Sequence, residues 1–251
     1  MIRRIHHVAI VVSRLAEAYR FYRDTLGLPL RREAELRDQG VRAALLAAGD
    51  SEIELLEPLA PDSGVGRFLA KRGEGLHHLC FETPDVDGTL ARLRDSGVEV
   101  LDAAPRPGLA GRIAFLHPRA CAGILTELAT PPPGDEPPAS SSLQLKRLVI
   151  GAREPRPTAA RLQALFGLSE VAMNGGPRIM LGVARGSLLV VPADEVGGHE
   201  GLVALSLVAE DFPTLMAAFD RDGTRLLRGT GEVTIEPEAS HGVHLHITRY
   251  W

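Results

Sequence analysis

One motif is written four times along this chain, and that repetition limits the folds open to it. The segment IHHVAIVV, residues 5–12, is an apolar run entered through a histidine pair, and LHHLCFE, residues 76–82, repeats the device with its second histidine 71 residues later. Each run leads into a stretch of helical spacing, with Leu15, Tyr19, Tyr22 and Leu26 in the first copy and Val86, Leu90 and Leu93 in the second. Ser13 reads as the first helix's N-cap, with Gly27 and Gly97 as the two stops. Short strand-like runs follow: VRAALLAAG and SEIELLEPL, then GRIAFLHP and GILTELATP. The order in both copies is β-α-β-β-β. Fainter copies begin at LKRLVIGAREP, before a helix carrying Leu162, Leu165 and Phe166, and at LVALSLVAED, before one carrying Phe212, Leu215, Met216 and Phe219. Repetition of this kind is a fold signal in itself. It predicts an α+β chain in which paired βαβββ modules form curved mixed sheets, two such domains in tandem.

The stretch TPPPGDEPPASSS, residues 130–142, cannot continue helix or sheet. We therefore expect domains at 1–130 and 143–251, joined by a Pro/Ser-rich linker over 131–142. At 251 residues, with 45% apolar and 24% charged residues, each domain can bury a core, and aromatics at 4% leave that core to aliphatic side chains. A net charge of −4 with no basic block argues against nucleic acid or an anionic membrane as partner. No apolar run approaches the ~20 residues of a membrane span. The opening MIRRIHHVAIVV has no small-residue cleavage site, so a signal peptide is not expected. Cys80 and Cys121 read as reduced core residues of a cytoplasmic protein.

The repeated histidines have a stereochemical reading. Side chains alternate across a strand, so Val8, Ile10 and Val12 share one face with the helices, while His7, Ala9 and Val11 face away from them. In the later strand Leu79 and Phe81 take the helix side, and His78, Cys80 and Glu82 the other. His6 and His77 fall on the opposite face at strand ends, where a histidine needs no special account. The last strand of each module adds a carboxylate to the same pattern. Glu52, Glu54 and Leu56 share a face, as do Leu125, Glu127 and Ala129; Glu54 follows His7 by 47 residues and Glu127 follows His78 by 49. Two such modules about an approximate two-fold axis bring His7, Glu54, His78 and Glu127 together. Two imidazoles and two carboxylates suit a divalent ion such as Co, Zn, Mn, Ni or Fe(II), with positions left for water or substrate. The cluster HGVHLHI, residues 241–247, is a rival, since His244 and His246 share a strand face. There the pattern fails: the positions matching His7, Glu54 and His78 read Leu148, Leu188 and Ala204, and only His246 matches a ligand position. The second half is thus expected to be a degenerate copy without metal ligands.

The stretches HVAIVVSRLAEAYRFYRDTLGLPL, IELLEPLAPDSGVGRFLAKRGEGLHHLCFE and RIAFLHPRACAGILTEL resemble the vicinal oxygen chelate superfamily, which also includes glyoxalases, bleomycin resistance proteins and dioxygenases. Within it they are most similar to the methylmalonyl-CoA epimerases. The resemblance covers about half the chain, and the second half shares it only weakly. It implies that His7, Glu54, His78 and Glu127 hold the metal; several relatives have glutamine where Glu54 stands. Two places depart from the pattern. Arg42-Ala43-Ala44 occupies the position where some bacterial relatives carry a glutamate, and the glycine loop GLAGR, residues 108–112, is one residue shorter and lacks a histidine.

The resemblance further implies epimerisation of the 2R and 2S forms of methylmalonyl-CoA, by removal of the proton α to the thioester through a metal-stabilised enolate. Glu127 is the first acid/base candidate and Glu54 the second. Arg67, Lys71, Arg72 and Arg112 are the candidates for contact with the acyl-CoA. Relatives of single-domain length look like dimers, so this chain is expected to be a monomer with an internal pseudo-dimer, or a homodimer. Three rivals are a glyoxalase I-like enzyme, an extradiol dioxygenase and a non-enzymatic small-molecule-binding protein of the resistance type. For the dioxygenase, a fourth ligand at Glu54 would block a position that catechol and oxygen need.

Overall fold

A computed structural model describes residues 2–135, 141–173 and 175–251. Residues 136–140 of the expected linker lie outside the described residues. The first half runs β1 (Arg4–Val11), α1 (Leu15–Tyr19), a π-helical turn (Arg20–Thr25), β2 (Leu30–Leu36), β3 (Val41–Ala48), β4 (Ser51–Pro58), α2 (Gly64–Arg72), β5 (Gly75–Glu82), α3 (Val86–Asp95), β6 (Arg106–Gly108), β7 (Gly111–Leu116) and β8 (Thr126–Thr130). The second runs β9 (Leu143–Ala152), α4 (Pro155–Phe166), β10 (Ser169–Val171), β11 (Ile179–Val183), β12 (Gly186–Pro192), β13 (Gly201–Ala209), α5 (Phe212–Asp222), β14 (Leu227–Gly229), β15 (Glu232–Ile235) and β16 (His244–Thr248). The four β-α-β-β-β modules are all present, and α2 is an additional element between the first two.

Each half forms one mixed eight-stranded sheet, ordered β2-β3-β4-β1-β5-β8-β7-β6 and β10-β11-β12-β9-β13-β16-β15-β14. The two orders are the same when the second is renumbered from one. Parallel pairs such as β5–β8 and β13–β16 sit among antiparallel hairpins. Among the described residues no helix is long and apolar enough to cross a membrane.

Local sequence accounts for the helices. In α3, Asp85 caps the N-terminus by accepting from the Gly88 N–H at 3.0 Å, Val86, Leu90 and Leu93 are buried, and Gly97 follows in a left-handed conformation. The first helix differs from expectation. Its N-cap is Arg14, which makes no side-chain cap bond, and the regular helix ends at Tyr19 before a π-helical turn. The Ser13 backbone N–H instead donates to the Glu74 carboxylate at 2.6 Å. Glu74 stands just before β5 and holds the residue ahead of the cap, while the first helical N–H, that of Leu15, donates to the Glu57 carboxylate of β4 at 2.6 Å, so a distant carboxylate does what a local cap would do.

The chain groups into two compact units, and each draws on both halves of the sequence. One contains β1 through His7, the module from His78 to β8, and the stretch from Arg147 in β9 to Val203 in β13. Here Phe81 of β5 packs on Phe166 of α4, with ring centroids 4.8 Å apart, and the Arg161 Nε donates to the Ala120 carbonyl at 2.9 Å. The other contains Val8 to His77, β9 up to Lys146, and Ala204 onward. Here the buried Tyr22 hydroxyl donates to the Ser240 carbonyl at 2.8 Å, Thr25 donates to Asp222 at 2.8 Å, and His241 lies 2.8 Å from the Glu74 carboxylate. Gly242 has φ +76°, and a Cβ there would fall 1.8 Å from the Glu74 carbonyl oxygen, so two chain segments cross where only glycine fits.

Both cysteines are buried and unbridged. Burial pushes the Cys121 thiol up to about 11, against a hydrogen bond with Thr126 and the charge of Arg161. At pH 8 such a thiol is about 0.1% thiolate, whereas an ordinary one near 8.5 is roughly a quarter ionised. Native protein treated with iodoacetamide at pH 8 is therefore expected to alkylate at Cys121 at least ~100-fold more slowly than after unfolding. Site-resolved mass spectrometry reads this directly, and equal rates would contradict the burial argument.

Candidate metal centre

The strand register aims the side chains. β5 and β8 run parallel with Cys80 opposite Glu127, so Glu127 shares a face with Cys80 and hence with His78, two residues before it. His7 stands in β1, the strand next to β5 in the sheet order. Three donor atoms converge in consequence. His7 Nε2 lies 3.1 Å from His78 Nε2 and 3.6 Å from Glu127 Oε2, and His78 Nε2 lies 2.9 Å from the same oxygen. All three side chains are buried, none more than 3% exposed.

Those separations test whether an ion fits. Donors at about 2.1 Å from one cation stand about 3.0 Å apart in an octahedron and about 3.4 Å in a tetrahedron. The observed triangle, 2.9 to 3.6 Å on its edges, brackets both. Two imidazole nitrogens and a carboxylate oxygen are also the donor types that borderline divalent ions take.

The charge state agrees. Burial alone would raise the Glu127 carboxyl, but hydrogen bonds and charge from His7 and His78 outweigh it and hold the group well below the usual carboxylate range. Glu127 is thus an anion at neutral pH. Other acids on the same strand faces are already matched. Glu82 takes Arg4 at 2.6 Å and Arg3 at 3.6 Å, and Glu52 takes Arg31 at 2.8 Å. Among the described residues, Glu127 is paired with the two histidines and with no arginine.

The remaining expected residues fall as follows. Glu54, also buried, is on β4 in the other compact unit. Arg67, Lys71 and Arg72 are exposed on α2; Arg67 donates to the Asp62 carbonyl and the Arg72 guanidinium lies 5.8 Å from the Phe68 ring centroid. The Arg112 guanidinium is held by Asp87 through two bonds of 2.6 and 2.7 Å, a bidentate pair that occupies the fork expected to meet substrate. In the second half His246 is 3.2 Å from Glu232 and His244 3.5 Å from Glu236, while Leu148 and Leu188 are buried.

Sequence reasoning passed over three neighbours of the site. Phe115 stacks edge-on against His78 at 5.1 Å, and the Arg106 guanidinium lies 5.7 Å from the Phe115 ring centroid. Phe115 pairs with Glu127 across β7–β8, a register that repeat spacing alone does not supply. His6 is buried, with its Nδ1 3.0 Å from His7 Nδ1. The doubled histidine was the available signal, but strand alternation says nothing about which ring nitrogen meets which.

Known proteins share this half of the chain. The family model of the Glyoxalase/Bleomycin resistance protein/Dioxygenase superfamily matches residues 6–115. An ethylmalonyl-CoA/methylmalonyl-CoA epimerase of Cereibacter sphaeroides is 38% identical over 131 residues, covering 51% of this chain and 98% of the relative. The human mitochondrial methylmalonyl-CoA epimerase is 35% identical over 127 residues, covering 50% of this chain and 72% of its own. Among solved structures, a methylmalonyl-CoA epimerase in complex with methylmalonyl-CoA and NH4+ aligns with TM-score 0.52 and 45% identity, over 55% of this chain and 100% of its own. A Streptomyces coelicolor methylmalonyl-CoA epimerase variant in complex with 2-nitronate-propionyl-CoA aligns with TM-score 0.51 and 46% identity, over 52% of this chain and 99% of its own.

Proposed function

The chain belongs to the glyoxalase/bleomycin resistance/dioxygenase superfamily, and from that premise we propose that it interconverts the 2R and 2S forms of methylmalonyl-CoA. One observation carries the reading: the buried triangle of His7, His78 and Glu127 lies in the half of the chain that is 38% identical to an acyl-CoA epimerase. The ligand-bearing domain, residues 1–130, performs the chemistry, and residues 143–251 serve as an in-chain structural partner, making the molecule an internal pseudo-dimer.

His7, His78 and Glu127 would hold a divalent ion, and Glu54 would complete the set as fourth ligand. The repeat supports that role, because Glu54 stands in the last strand of its module as Glu127 does in its own, and β4 is next to β1 in the sheet order. A divalent ion in this set supplies Lewis-acid stabilisation of the negative charge that develops on the thioester oxygen. The chain's own part is to move the proton. One carboxylate takes the C2 proton, leaving its electron pair in the enolate, and an acid on the opposite face returns a proton to C2. Glu127, swinging off the ion or acting through a bound water, is one of these groups, and Glu54 is the second candidate for the other. Burial of both keeps water from competing for the carbanion. Arg67, Lys71 and Arg72 on α2 offer exposed cations for the phosphates of CoA; Arg112 would first have to leave Asp87.

The test is exchange of the C2 proton of methylmalonyl-CoA for deuterium, followed by NMR. Wild-type protein is expected to exchange it, to stop after chelation and to resume when Co(II) is returned. Turnover of a glutathione hemithioacetal without C2 exchange would move the assignment to glyoxalase chemistry. Ligand binding that survives chelation, with no exchange, would make the protein a binder.

A further inference from the structure

The histidine before the ligand does work of its own: we infer that His6 is a positioning residue that fixes the ring of His7 for metal binding. This rests on the proposal that His7, His78 and Glu127 hold an ion. His7 directs Nε2 toward His78 and Glu127, so that nitrogen must offer a lone pair to bind a cation. A neutral imidazole with its Nε2 lone pair free carries its proton on Nδ1. That N–H points at His6 Nδ1, 3.0 Å away, with the two rings edge to face at 86°. His6 then accepts through Nδ1, locking both the tautomer and the rotation of the His7 ring. Ligand histidines in metal sites commonly donate their second N–H to such a partner, and losing it typically costs ~10–100-fold in metal affinity.

The geometry is specific to the first histidine pair. His77, the corresponding residue of the second pair, stacks edge-on against Phe68 at 4.9 Å and belongs to the other compact unit from His78. The sulfur of Cys80 lies close enough to His6 and His7 to form a second possible donor group with them, so the experiment must distinguish a positioning imidazole from a ligand.

Two variants separate the roles. Leucine fills the buried volume of His6 without an acceptor, and asparagine places its amide oxygen near the position of the imidazole Nδ1. Co(II) affinity of metal-free protein, measured by calorimetry, is expected to fall 10- to 100-fold in His6→Leu and to stay within about threefold of wild type in His6→Asn. Equal affinity in His6→Leu and wild type would overturn the inference, as would an asparagine variant as weak as the leucine one. A thiolate-to-cobalt charge-transfer band in the wild-type spectrum would overturn it too, because His6 and Cys80 would then be ligands themselves. Failure of wild-type protein to bind cobalt at all would remove the metal reading and this inference with it. Normal binding by His6→Leu removes only the inference.

Discussion

Glu127→Gln is expected to lower C2 exchange of methylmalonyl-CoA by at least 10²–10⁴-fold, the range associated with loss of one general acid or base. Glutamine keeps the size and nearly the shape of the side chain, so the β5–β8 register should survive. What it removes is the buried negative charge between two imidazoles. An amide also presents N–H donors on one side, where the carboxylate could only accept from His7 and His78. On the proposed mechanism the variant thus loses both the proton carrier and an anionic ligand. His78→Ala should be as severe, since it deletes the donor closest to the carboxylate, at 2.9 Å. Exchange assays beside far-UV circular dichroism check both variants. Wild-type exchange rates in a folded, metal-depleted His78→Ala protein would refute the mechanism.

The largest expected stability loss lies at the contact between α4 and β5. Phe166 of α4 and Phe81 of β5 are both buried, with ring planes inclined at 48° and centroids 4.8 Å apart. Phe166→Ala should cost about 3–5 kcal/mol, the usual range for emptying an aromatic site in a core. For a chain of this size that corresponds to a fall in Tm on the order of 10 °C. Phe81 is three residues from His78 on the same strand, so the packing that holds the ligand strand comes partly from residues 143–251. Denaturant unfolding measures the loss. A Phe81→Ala/Phe166→Ala double variant should lose less than the sum of the two singles, because the rings contact each other. A loss under ~1 kcal/mol in Phe166→Ala would show that α4 merely rests on the strand.

How much of this was legible in the residues depended on the range of the interaction. The four modules follow from periodicity, and periodicity is local. The shared face of His78 and Glu127 also follows, because alternation and repeat spacing fix it once the two strands pair. The first helix was misread for the converse reason. Ser13 has the chemistry of a cap, but the group that serves the first helical N–H is Glu57, 42 residues away. The change to a π-helical turn at Arg20 leaves the apolar spacing of Tyr19, Tyr22 and Leu26 almost untouched, so no pattern announces it. Arg112 reads as a candidate acyl-CoA contact, a lone cation at the end of a glycine loop. Its partner Asp87 is 25 residues earlier on α3, and only the fold brings the fork and the carboxylate together. The Tyr22–Ser240 and Thr25–Asp222 bonds, across 218 and 197 residues, are beyond any reading of local spacing.

The way the two compact units are composed bears on the history of the molecule. Each unit holds one module from either half, so the second half is not an appendage that could be discarded. A gene cut between the copies would encode two fragments, each missing half of both units. Gly242 stands where backbone of the second half passes over the entry to β5 and leaves no room for a side chain.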